Sequence, residues 1–160
     1  MAEHELKAVF LYNFANYITW PDDAFKTPES PFNYCFLGTS RINTSLKAVV
    51  ANEKIKGKKL QVLELSDESQ LSDCHILFIH QIEGGYPTEL LQKLAKMSVL
   101  TVSDDDSFIP AGGAISLSQK KKKIDLLVSM DIIDRGKLKF SSKLLRLAKR
   151  IPKSDETSEK

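Results

Sequence analysis

The stretch Cys74-His75-Ile76-Leu77-Phe78-Ile79-His80 is an apolar run with the length of a buried strand, and it indicates the fold class. The strand within this run is predicted over Ile76–Ile79. Three more runs share its character, namely residues 34–37, which end at Gly38, and residues 59–65 and 99–102. Near-continuous apolar strands are typical of parallel sheets that helices cover on both faces. The sequence therefore predicts an α/β protein built from strand–helix–strand units.

Helical periodicity occupies the intervals between these strands. The first helix is predicted over Leu6–Trp20 and ends before Pro21, because a residue preceding proline disfavours helical backbone. Further helices are predicted over residues 42–51, from Pro87 to about residue 97, over residues 129–136, and from Ser141 or Ser142 to Ile151. Residues 114–117 and 124–128 are predicted to form a hairpin at one edge of the sheet.

These elements predict one α/β domain over residues 1–151. We expect a mixed sheet of about six strands with helices on both faces, and with the first and last helices packed on it. Residues 152–160 are polar and are expected to form a disordered tail.

Composition excludes several functional classes. The chain has 160 residues, 42% of them hydrophobic and 28% charged, with a net charge of +2. This balance gives no indication of a nucleic-acid-binding protein. No apolar run reaches the roughly 18 residues that a bilayer crossing needs. The N-terminus also lacks the layout of a signal peptide, so the chain is either cytoplasmic or a mature form whose signal peptide has been removed.

Cys35 and Cys74 are the two cysteines, and no C-x-x-C pattern is present. Both lie in or beside predicted strands, so their sulfurs would meet if those strands pair. Two unpaired core thiols are the alternative, since free cysteine is among the most buried residue types. A bridge would stabilise the fold by about 4 kcal/mol and would indicate an oxidising compartment.

The search for catalytic motifs finds no dinucleotide fingerprint, P-loop, nucleophile elbow or zinc-protease motif. Gly84-Gly85 is compatible with a phosphate site but favours a plain turn, and Asp104-Asp105-Asp106 favours capping over metal binding. His75 and His80 point to opposite faces of one strand and cannot chelate a metal together. The Lys120–Lys123 run favours a solvated hairpin tip. We therefore predict no enzyme, no cofactor and no metal site.

A longer resemblance begins with Lys7-Ala8-Val9-Phe10-Leu11-Tyr12-Asn13-Phe14-Ala15-Asn16-Tyr17-Ile18-Thr19-Trp20-Pro21, which resembles the opening of the YfiR-like family. Four further segments match that family in order and spacing: residues 35–38, residues 74–79, residues 99–104 with Phe108 and Gly112-Gly113, and residues 140–148. The resemblance covers about residues 6–150.

The resemblance implies a periplasmic protein of Gram-negative bacteria whose signal peptide is absent from this sequence. It implies a homodimeric negative regulator that binds the periplasmic sensor domain of a membrane-anchored diguanylate cyclase (YfiN-like) and lowers cyclic di-GMP signalling and biofilm formation. An outer-membrane lipoprotein (YfiB-like) is the second implied partner; no nucleic acid and no membrane insertion are implied. Cys35 and Cys74 match the positions of the family's structural disulfide. The family's second cysteine pair is missing here, which puts in doubt any redox switching that depends on it.

An exposed apolar surface is the expected binding or dimer site. Candidates lie on the first helix and in the C-terminal region: Tyr12, Tyr17, Trp20, Phe108, Ile133, Leu138 and Phe140. The competing interpretation of each is a core residue, because aromatic side chains at helical spacing usually pack inside. The alternative function is a periplasmic small-molecule sensor with its ligand near Gly84-Gly85 and Asp104; an uncharacterised hydrolase is a weaker third reading.

Overall fold

Apolar runs and helical periodicity produce an alternating chain of strands and helices. The computed structural model describes residues 2–80, 85–121 and 123–151, and describes side chains as far as residue 148. The helices are α1 (Glu3–Tyr17), α2 (Arg41–Val50), α3 (Thr88–Ala95), α4 (Phe108–Ala111), α5 (Met130–Arg135) and α6 (Ser142–Leu147). The strands are β1 (Ile18–Thr19), β2 (Phe32–Leu37), β3 (Lys54–Ile55), β4 (Lys58–Leu65), β5 (Ile76–Ile79), β6 (Leu100–Ser103), β7 (Ile115–Lys120), β8 (Lys123–Ser129), β9 (Lys139–Phe140) and β10 (Lys149–Ile151).

The central sheet has eight strands in the order β10-β8-β7-β6-β5-β2-β4-β3. Strands β4, β2, β5, β6 and β7 run parallel, while β7 with β8 and β3 with β4 are antiparallel. The chain leaves β2 toward β4 on one side and then returns to β5 on the other, so strand order reverses beside β2. The predicted α/β class and mixed sheet are confirmed.

Side-chain alternation in β2 and β5 divides the core into two layers. Tyr34 and Phe36 point to the layer that holds α1 and α2, together with Ile133 and Leu144 from the last two helices. Cys35 and Leu77 point to the opposite layer, which α3 and α4 cover. Helices therefore cover both faces, as predicted, and the first and last helices contribute to one core.

The C-terminal region corrects two predictions. The last helix was expected to reach Ile151, but α6 ends at Leu147 and residues 149–151 form β10, parallel to β8. Ile151 precedes Pro152, which favours extended backbone, and the open edge of β8 offers unpaired backbone groups. The 115–129 hairpin is therefore not an edge, and β10 and the two-residue β3 raise the strand number above six.

The first helix is also shorter at its end than its apolar pattern indicates. It ends at Tyr17, and Ile18–Thr19 form β1, which pairs antiparallel with Lys139–Phe140 of β9. The predicted disordered tail, residues 152–160, lies outside the described residues. Within the described part of the chain, no helix combines the length and apolarity that crossing a bilayer requires.

Candidate functional site

Cys35 and Cys74 form a disulfide bond. Cys35 lies in the middle of β2, and Cys74 comes two residues before β5, its parallel neighbour, so the Cα atoms are 5.8 Å apart. Both residues are buried in the layer under α3 and α4. The predicted pairing is confirmed, and the alternative of two unpaired core thiols is wrong.

Four of the seven surface candidates are core residues. Trp20 donates its Nε1–H to the His75 carbonyl over 3.1 Å and packs edge-on against Phe32. Phe108 is fully buried, and its ring fills the place that a side chain at Gly113 would need, since a Cβ there would lie 2.1 Å from the ring. Ile133 and Leu138 are buried in the layer of α1 and α2. These side chains are not exposed, which corrects the expectation of an exposed apolar surface at these four positions.

Tyr12, Tyr17 and Phe140 are partly exposed. The Tyr12 hydroxyl donates to Glu53 beyond α2, whereas Tyr17 lies beside α6, where the Lys143 ammonium is 5.5 Å from the centre of its ring. The Tyr17 carbonyl accepts the Ser141 N–H over 2.8 Å, and β1 pairs with β9 at Phe140. The contacts thus join Tyr17 and Phe140 in one region, and the binding role of the three residues remains a prediction.

Leu147 is not among the predicted surface residues, because its helical spacing with Leu144 and Ile151 indicates the apolar, buried face of the last helix. Its side chain is 67% exposed, the largest exposure of any large apolar side chain among the described residues. It follows Lys143 by one helical turn and therefore lies on the same face of α6. We call Tyr17, Phe140, Lys143 and Leu147 the α6 surface.

The three adjacent aspartates at the carboxyl end of β6 each have a different partner. Asp104 lies 3.6 Å from the buried ammonium of Lys7, which also pairs with Glu3. Asp105 accepts hydrogen bonds from the Tyr86 hydroxyl and from Ser107. Each of these carboxylates is thus held by its own partner. Within the described residues, no group of three or more side chains is placed to hold a metal ion.

Asp106 accepts a hydrogen bond from Ser118 over 2.7 Å and lies 2.9 Å from the Lys120 ammonium, and these contacts lower the pKa of its carboxyl. Lys120, the first lysine of the 120–123 run, therefore links the β7–β8 hairpin to the loop after β6 through its ion pair with Asp106. Gly84, half of the weak phosphate-site candidate, lies outside the described residues.

A family model described as YfiR/HmsC-like matches residues 4–149. This chain belongs to the YfiR/HmsC-like family. This match confirms the resemblance drawn from the five sequence segments. The matched range includes both bridged cysteines and the whole α6 surface. A search of curated proteins finds no match.

In this YfiR/HmsC-like protein the two strand histidines have separate structural roles. His75 is buried; its Nδ1 accepts the Asn33 N–H, and its Nε2 lies 2.9 Å from the Ala24 carbonyl, which requires the proton on Nε2. His80 packs against Gly38, whose φ of +97° suits glycine, and its buried Nε2 has no hydrogen-bond partner among the described residues.

The bonding of His75 predicts a pH-dependent stability. Burial is the main cause that lowers the pKa of His75, and the positive charge of Lys58 lowers it further. The hydrogen bond with the Ala24 carbonyl and the negative charge of Asp73 raise the pKa, but they do not outweigh the burial. The folded state then binds fewer protons than the unfolded state, so the free energy of unfolding should fall as the pH drops from about 6.5 toward the lowered pKa. The slope due to this one group reaches at most about 1.4 kcal/mol per pH unit.

Urea unfolding of the wild type and of His75→Gln between pH 7.5 and 5 measures this slope. We expect a shallower pH dependence in His75→Gln, whatever its absolute stability, because the glutamine does not titrate. Equal slopes in the two proteins would contradict the assignment.

Proposed function

We propose that this protein is a periplasmic negative regulator that binds the periplasmic sensor domain of an inner-membrane diguanylate cyclase and thereby lowers cyclic di-GMP signalling and biofilm formation. Membership of the YfiR/HmsC-like family over residues 4–149 carries the proposal. The bridge between Cys35 and Cys74 supports a location outside the reducing cytoplasm, because structural disulfides persist in oxidising compartments.

The proposed mechanism is binding without catalysis. A regulator on one side of a membrane can inhibit an enzyme on the other only if it binds the inactive arrangement of the membrane protein more tightly than the active one. Such binding needs an exposed surface with an apolar centre, since large apolar side chains contribute most to protein contacts. The α6 surface meets this need through Leu147, which is exposed, and Tyr17, which is partly exposed.

The assembly belongs to the proposal as well. We propose a homodimer, a YfiN-like cyclase as the inhibited partner, and a YfiB-like outer-membrane lipoprotein as a competitor that removes the regulator from the cyclase. The lipoprotein releases the cyclase if binding of one partner weakens binding of the other. Overlapping binding sites are the simplest way to achieve this, and the α6 surface is the part of the regulator that we assign to both partners.

Direct measurement of the complex tests the function. The protein is mixed with the purified periplasmic domain of each YfiN-like cyclase of the source organism, and binding is followed by calorimetry and by light scattering on a sizing column. We expect a stable complex and lower cyclic di-GMP in cells that express both full-length proteins. No complex with any cyclase of the source organism, together with unchanged cyclic di-GMP, would contradict the proposal.

A further inference from the structure

A pocket of about 490 Å³ opens at the amino ends of β2 and β4. It lies between β1, the loop around Phe25 and the β3–β4 hairpin. This volume is within the range of small-molecule sites, which are concave, mostly apolar and supplied with a few polar groups. None of the described residues that line this pocket belongs to the Gly84-Gly85 and Asp104 region, where the alternative sensor function places its ligand.

The floor of the pocket is apolar and rigidly packed. Ile18, Trp20, Phe32 and Ile55 contribute to it, and each is less than a tenth exposed. The only polar atom of the Trp20 side chain is already bonded to the His75 carbonyl, so a ligand meets the apolar part of the indole. A ligand body that fits this floor is therefore apolar.

The wall formed by Phe25 is held in place from behind. Its ring stacks on His75 with 4.2 Å between ring centres, and His75 is itself fixed by bonds to Asn33 and Ala24. The wall is thus formed before a ligand arrives, which reduces the conformational cost of binding.

The rim is cationic. Lys26, Lys56 and Lys58 line the pocket, against one carboxylate, Asp22. Lys26 pairs with Asp73 at 2.9 Å, and Lys58 donates to the Pro28 carbonyl while lying 4.1 Å from the centre of the Phe25 ring. Lys56 is exposed, and the described residues provide no ion pair for its ammonium.

We infer that this pocket binds a small organic carboxylate with an apolar body, the body on the Trp20 floor and the carboxylate between Lys56 and Lys58. An apolar floor below a cationic rim favours this class of ligand over neutral or cationic compounds. The negative charge of the carboxylate offsets the repulsion between the lysine ammonium groups, and the carboxylate end of the ligand stays in contact with water while its body is buried. The inference does not depend on the proposed cyclase partner.

The pocket and the α6 surface share the β1–β9 strand pair. Ile18 and Thr19 of β1 line the pocket, and the same two residues pair with Phe140 and Lys139 of β9. A ligand that restricts the motion of β1 therefore also restricts β9, which carries Phe140 of the proposed docking region. Binding at this pocket can in this way change the affinity of the regulator for its partner.

The test uses 4-phenylbutyrate and octanoate as probes and their neutral amides as controls. Trp20 is the single tryptophan of the chain, so its indole N–H gives one unambiguous NMR resonance from the pocket floor. We expect both carboxylates to shift this resonance saturably, with dissociation constants on the order of a millimolar or tighter. At low ionic strength the amides should bind about three- to tenfold more weakly.

Matched lysine variants locate the carboxylate. Lys56→Asn, which suits the φ of +53° at this position, should weaken carboxylate binding about threefold or more and leave amide binding unchanged. Lys59→Gln removes a charge from the same hairpin outside the pocket and should have no effect.

Three outcomes overturn the inference: no saturable shift of the Trp20 resonance with either carboxylate, equal affinities of carboxylates and amides in every variant, or shifts centred on the α6 surface. Because no partner protein is present in this titration, its failure leaves the cyclase experiment unaffected.

Discussion

Replacing both bridged cysteines, as Cys35→Ala with Cys74→Ala, is expected to lower the free energy of unfolding by about 4 kcal/mol. The bridge joins residues 39 positions apart and links β2 to the segment just before β5, so its loss frees a long loop in the unfolded chain. Alanine is preferable to serine here because a buried hydroxyl without a partner adds its own penalty. Urea unfolding without reductant measures the difference, and the dependence on urea should steepen because the unbridged unfolded chain exposes more surface.

The reduced wild type is the control for this prediction. With reductant present, the unfolding midpoint of the wild type should fall to that of the double variant, whereas the variant should not respond. A wild type whose midpoint equals that of the variant without reductant would show that the bridge contributes nothing to stability. The two sulfurs are buried, so we also expect a thiol reagent to label the reduced protein only as it unfolds.

The strands of the sheet could be predicted from the sequence because each is an apolar run, and such a run is recognised without knowing which other segments it contacts. The Ile76–Ile79 strand has the predicted bounds, and the runs around Cys35 and Leu100 are displaced by two residues or fewer at each end. The order of the strands in the sheet could not be predicted in this way, because it depends on which strands pair in the folded chain. The residues alone therefore left the pairing of Cys35 with Cys74 open, and the family resemblance decided it.

Surface and core are harder to separate, because periodicity shows that a face is apolar and not whether another element covers it. Leu144 and Leu147 both fit the helical pattern of the last helix, yet Leu144 is buried and Leu147 is exposed. Phe108 was a surface candidate, but it packs under Tyr86 and against Gly113, contacts that its local spacing does not encode.

The same limit applies to the ends of the helices. Ile18 continues the apolar face of α1, but it begins the β1 strand that pairs with Phe140, more than a hundred residues later. Pro152 after Ile151 was the one local indication that the last helix would not continue. Long-range pairing thus created the α6 surface and the pocket beside it from segments whose local pattern indicated only helices and loops.

Leu147→Asp is expected to weaken the complex with the cyclase periplasmic domain about a hundredfold or more. The substitution places a carboxylate at the centre of the α6 surface, where binding would remove it from water next to the partner's apolar groups. The fold should be almost unaffected, because 67% of the Leu147 side chain is already exposed. The measurement is calorimetric titration of the partner domain, with thermal unfolding of each variant as the check on folding.

Two comparison variants make the result specific. Gln92→Asp puts the same charge on an exposed position of α3, on the opposite face of the sheet, and should bind like the wild type. Tyr17→Ala, which removes the ring beside Lys143, should weaken binding less than Leu147→Asp does, because Tyr17 is only partly exposed. If the wild type binds and Leu147→Asp binds equally well, the regulator function stands and its docking surface lies elsewhere. If Gln92→Asp also abolishes binding, the effect is one of net charge, since a contact at α6 cannot be sensitive to a carboxylate on the far face.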